Sequence, residues 1–153
     1  MKDKEMIWDF EKSLMRRLLL WAILSMVTGV ALILFGNPFW QGFGIQALAW
    51  GAVDGIIVWF GWRRVKHNLG DDKDDLRDTQ EASRIRKILW INTALDVLYI
   101  ASGGVMIFTL GSTSAFWRGT GWGIIIQAVF LFIFDMWHAW HVPNPPWRSS
   151  TTG

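Results

Sequence analysis

The 153-residue chain contains no cysteine. Disulfides, thiolate metal sites, thioether-linked haem and cysteine nucleophiles are thereby excluded, and the redox compartment stays open. It has no Gly-rich phosphate-binding loop and no Gly-flanked nucleophilic serine. The first apolar run, "LLLWAILSMVTGVALILF", offers only Ser25 and Thr28 as polar positions. A soluble four-helix bundle needs a polar stripe along each helix, so that class is set aside. No small-x-small cleavage site follows in "FGNPFWQG", and the run exceeds the roughly 7–15 residues of a signal sequence, so it reads as a retained anchor.

What the chain does have is apolar surface: 52% of residues are hydrophobic and 15% aromatic, with 12 tryptophans. The apolar residues fall into four blocks, at about 18–35, 43–62, 88–110 and 122–140. Each is long enough to cross a hydrocarbon core of about 30 Å at about 1.5 Å per helical residue. This predicts an all-α membrane protein with four transmembrane helices, one domain over 1–153 with a polar linker at about 63–87. Trp40, Trp62, Trp117, Trp122 and Trp140 stand near block ends as interface anchors.

The formal net charge is only +2, but its placement is uneven. Lys12, Arg16 and Arg17 precede the first block, and Arg63, Arg64, Lys66, Arg84, Arg86 and Lys87 lie between the second and third. The connections "GNPFWQG" and "GSTSAFWRG" hold only Arg118. The positive-inside rule then puts both termini and the linker in the cytoplasm. The basic residues read as topology signals and anionic-lipid contacts rather than a nucleic-acid site.

The leader before Arg17 carries Met6, Ile7, Phe10 and Leu14 at helical spacing. It reads either as a short interfacial helix that turns into the first span or as a solvated basic leader. The segment "NLGDDKDDLRDTQE" reads as a flexible linker; its acids lack the ligand spacing and central glycine of an EF-hand loop. The ending "VPNPPWRSSTTG" reads as a terminator and tail.

The two outer connections share a word, "FWQG" at Phe39 to Gly42 and "FWRG" at Phe116 to Gly119. Each leads into a helix with a Gln and, eight residues later, an Asp: Gln46 with Asp54, and Gln127 with Asp135. The entrances "RRLLLW" and "RKILW" correspond as well. Two tandem-duplicated helical hairpins, forming a parallel repeat about an axis along the membrane normal, account for all three matches.

Three acids lie inside the blocks: Asp54, Asp96 and Asp135. Asp54 is nine residues before Arg63 and Asp96 nine after Lys87, which sets both about 13 Å above the basic boundary. Asp135 is somewhat nearer the basic side, and Ser25 fills the same slab on the first helix. Asn92, Asp96, Tyr99 and Gly103 share one side of the third helix. Lipid-facing carboxylates are disfavoured, so these sides should turn inward. No Lys or Arg lies at that depth, and three converging carboxylates cannot all be ionised without a counter-charge. They hold protons, hold a cation, or exchange the two.

Asp54, Asp96 and Asp135 are thus the candidate ligand-binding groups, with Gln46, Asn92, Tyr99 and Gln127 as hydrogen-bonding neighbours and Trp50 as an aromatic wall for an organic cation. The competing reading is structural: polar residues between spans join helices, each contact contributing about 1 kcal/mol or less. His138 with Asp135 is a weaker metal candidate. Haem bridging needs facing histidines on neighbouring helices, and His67 lies beyond the apolar block. An enzyme acting on lipids would need a nucleophile or metal that the sequence does not supply, and no cofactor is named.

The segments "RIRKILWINTALDVLYIASGG" and "RGTGWGIIIQAVFLFIFDMWHAWH" resemble a bacterial family of four-helix membrane proteins without an assigned activity. The resemblance runs through Asn92, Asp96, Tyr99, Gly103, Gln127, Asp135 and His138, and more loosely through "WGAVDG" around Asp54. It implies a multi-pass protein of a bacterial cytoplasmic membrane. Two function classes follow: binding or transport of a cation or small polar ligand, with or without proton coupling, and an accessory subunit that packs against its own copy or a larger membrane protein.

Overall fold

The computed structural model describes residues 2–68 and 75–143, and side chains over 9–66 and 80–143. Its elements are α1 (Lys2–Phe35), α2 (Pro38–Asn68), α3 (Asp75–Phe108) and α4 (Ala115–His141), with a 3-10 turn at Leu110–Ser112 before α4. All four helices contain segments long and apolar enough to cross a membrane. Large apolar side chains such as Leu24, Ile57, Leu98 and Ile133 are about half exposed or more along them. Surface of this kind and extent belongs against lipid.

The chain turns where its chemistry requires. Pro38 disfavours helix at the residue before it and suits the first helical position. Asn37 caps α2, its Oδ1 accepting from the Trp40 backbone N–H at 3.3 Å. At the second outer turn Ser114 is extended (φ −132°, ψ 121°), which ends the 3-10 turn and starts α4.

Two expectations change at the basic end. The leader does not turn into the first span: α1 is one helix of 34 residues, about 50 Å long and well beyond the hydrocarbon thickness. Its overhang finds protein rather than headgroups to bury against, and Leu14, Met15 and Leu18 pack with Val65 of α2 and Ala82 and Ile85 of α3. The polar linker is also shorter than its composition suggests, because α2 continues to Asn68 and α3 starts at Asp75. The acidic run 71–74, the side chain of His67 and the ending from 144 lie outside the described residues.

The four helices pack as a bundle, α1 along α2, α3 along α4, and α2 against α4. Glycine makes these approaches close. A Cβ on Gly29 would sit 2.7 Å from the Gly44 carbonyl oxygen, and one on Gly103 would sit 2.8 Å from that of Gly121. Where α2 meets α4 the two outer words face each other: Gly42 lies against the Phe116 carbonyl and Gly119 against that of Phe39. The contact is reciprocal, each glycine meeting the phenylalanine that opens the other word. Towards the basic end large side chains take over, with Val58, Leu89, Leu131 and Phe134 in one core cluster.

The α1–α4 side is closed by side chains. Trp21 stacks on Phe130 with ring centroids 3.5 Å apart. On both this side and the α2–α3 side the helix backbones scarcely approach each other.

Candidate ligand site

A cavity of about 680 Å³ occupies the space between α2 and α3, floored by α1 and α4. The helical period puts Trp50 and Asp54 on its α2 wall, Asn92, Asp96 and Tyr99 on its α3 wall, and Asp135 on its floor. The three aspartates are 2%, 4% and 7% exposed. Asp54 lies within Coulombic range of Asp96, and Asp135 of both. The Asn92 amide is within hydrogen-bonding reach of Asp135. Asp54 Oδ2 and Asp96 Oδ2 are buried and have no hydrogen-bond partner. At the far end from the basic side, the Trp50 ring meets Tyr99 edge to face at 4.9 Å.

The chain belongs to DUF6992. This family of unknown function matches residues 17–136. Neither a curated protein nor a solved structure matches the chain. The DUF6992 region contains all three aspartates, Trp50, Asn92 and Tyr99, and it stops short of His138.

Other candidates stand elsewhere in this DUF6992 protein. Gln127 is buried on the α1–α4 side, where its Oε1 accepts from Trp21 Nε1–H at 3.0 Å and its Nε2 donates to Ser25 Oγ at 3.3 Å. Ser25 therefore shares the depth of the aspartates without sharing their cavity. Gln46 is half-buried and packs its aliphatic stem against Gly123 of α4, outside the cavity lining. His138 is buried, with its ring between Phe10 and Phe134. Its Nδ1–H donates to the Phe134 carbonyl at 2.6 Å, and Nε2 faces Arg17 Nη1 at 3.5 Å. Both ring nitrogens are engaged, and His138 does not line the cavity that Asp135 lines. Among the described residues no group of three His, Asp or Glu side chains is placed to hold a metal ion.

The sequence reading missed a polar cluster at the basic end of the same cavity. Arg64 Nη2 donates to Glu11 Oε1 at 2.9 Å and also to Glu81 Oε1, so one guanidinium ties α1, α2 and α3 together. Glu11 is only 3% exposed, and Arg84 stands 3.9 Å from Glu81. A signal was present: Glu11 lies seven residues before Leu18, on the same face of one helix.

Proposed function

We propose that this protein binds a cation or a small polar or cationic ligand at Asp54, Asp96 and Asp135, and that it exchanges that ligand for protons in binding or transport. The observation that carries this reading is that Asp54, Asp96 and Asp135 line one cavity, and that Asp54 and Asp96 each hold a buried carboxylate oxygen with no partner. A buried carboxylate without a partner is costly, and a proton or a cation relieves the cost. No basic side chain stands at that depth to do so; Arg64 is ten residues from Asp54, about 15 Å along α2. Trp50 and Tyr99 offer ring faces that suit an organic cation.

The structural reading has its own support in this bundle. Gln127 with Trp21 and Ser25, and Arg64 with Glu11 and Glu81, join helices through side-chain hydrogen bonds and ion pairs. Asp54 and Asp96 differ, because each leaves a buried oxygen unpartnered with no guanidinium or ammonium paired to the carboxylate, as Arg64 is paired to Glu11. Placement of both termini in the cytoplasm rests on the basic residues, and the tandem repeat rests on the matched words of the sequence.

The test is binding of methylammonium to the purified protein, read by tryptophan fluorescence at pH 6 and pH 8. Asp96→Asn should weaken binding at least tenfold and flatten its pH dependence while helix content is unchanged. A folded Asp96→Asn protein that binds methylammonium as the wild type does would remove the proposal.

A further inference from the structure

The cavity has an unusual outline for a site meant to be reached from water. Val53, Ile56 and Ile57 of α2 and Ile88 and Leu95 of α3 all line it, and each is 42–57% exposed. A residue that faces both a cavity and the exterior marks an opening. This one lies in the side of a membrane-spanning bundle, where the α2 and α3 backbones stand apart, and its rim is apolar, aliphatic but for Phe60. The two ends are obstructed. At the basic end a ligand meets Arg64 in its ion pairs with Glu11 and Glu81, with Arg84 beside them. At the other end the Trp50 and Tyr99 rings are in contact.

We infer that the ligand enters sideways from the bilayer, between α2 and α3, and that it is an amphiphilic amine: an ammonium head on a hydrocarbon tail. This rests on the reading of the aspartates as a cation site. The head meets the carboxylates of Asp54 and Asp96 in the cavity wall. The tail lies along the apolar rim and extends into lipid, so it never leaves apolar surroundings. A hydrated metal ion gains nothing from such a rim, and cationic Arg64 and Arg84 stand at the basic end. The chemistry is shared by free alkylamines and by lipids with a primary-amine headgroup.

The experiment uses the full chain in phosphatidylcholine nanodiscs with a dodecylamine that carries its diazirine close to the amine, where the tail passes the rim. After photolysis, adducts are mapped by mass spectrometry. Adducts should concentrate on residues 53–57 and 88–95, at least tenfold above lipid-facing Leu24 and Ile133. They should fall about tenfold in the Asp54→Asn, Asp96→Asn double variant. Ile57→Trp, which keeps both carboxylates and adds bulk at the rim, should block labelling while leaving methylammonium binding intact. Competition by unlabelled dodecylamine or by phosphatidylethanolamine identifies the source of the amine; labelling that neither displaces overturns the inference. So does labelling spread evenly over the lipid-facing residues. Even labelling with Asp-dependent methylammonium binding would remove only the sideways route. Loss of Asp dependence for both probes would remove the cation site as well.

Discussion

Arg64 is the residue whose removal has the most definite consequence. Replacing it with methionine keeps much of the stem volume and deletes the guanidinium that holds Glu11 at 2.9 Å and also contacts Glu81. Glu11 is 3% exposed, and its Oε2 has no partner even in the intact protein, so the variant would leave a buried carboxylate with no protein partner. Breaking a fully buried ion pair typically costs about 3–5 kcal/mol, and the partial exposure of Arg64 argues for the lower end, about 3 kcal/mol. For a chain of this size that is a fall in Tm of roughly 6–12 °C. The assay is thermal unfolding followed by size-exclusion fluorescence, on Arg64→Met and on Arg64→Met combined with Glu11→Gln. Neutralising Glu11 should recover a large part of the loss, since the penalty lies in the orphaned charge. If Arg64→Met melts with the wild type, or if Glu11→Gln restores nothing, the clasp does not hold the three helices as described.

Two further outcomes follow from the packing and the charge pattern. Gly121→Val should lower stability by about 2 kcal/mol, because its side chain would enter the Gly103 carbonyl and Ile107, whereas Gly104→Ala, with nothing within 4 Å of the added atom, should melt within a degree or two of wild type; equal melting of the two variants would refute the close-seam argument. The cysteine-free chain allows a clean topology assay: in intact spheroplasts a membrane-impermeant maleimide should modify Ser112→Cys directly and Gln80→Cys only after lysis, and the reverse pattern would invert the orientation.

The spans were legible because lipid demands long apolar runs and the chain has four. The depth and inward face of Asp54, Asp96, Asn92, Tyr99 and Trp50 were legible too, since rise and period fix both once a segment is helical; that they and Asp135 line one cavity was not, because it depends on which helices are neighbours. Gln46 and Gln127 were harder. Gln46 follows Phe39 by seven residues and Gln127 follows Phe116 by eleven. The difference of four is slightly over one turn, about 6 Å of rise and about 40° of rotation. Matched words therefore do not give matched side-chain directions, and one Gln meets α4 while the other meets α1. The Glu11, Arg64 and Glu81 cluster was hidden for another reason. Its members lie outside the apolar blocks, where charge reads as orientation signal, and only the helical overhang of α1 brings them together.

Trp21 and Trp90 end corresponding words, "RRLLLW" and "RKILW", but their rings go to different neighbours. Trp21 stacks on Phe130 and seals the flank between α1 and α4. Trp90 leans on Trp140, 6.2 Å away on α4, and contributes nothing to the flank between α2 and α3. One indole becomes a wall and its counterpart leaves a window. The cavity that the aspartates line lies on that unsealed side, so the difference between the two flanks follows from a ring that turned the other way.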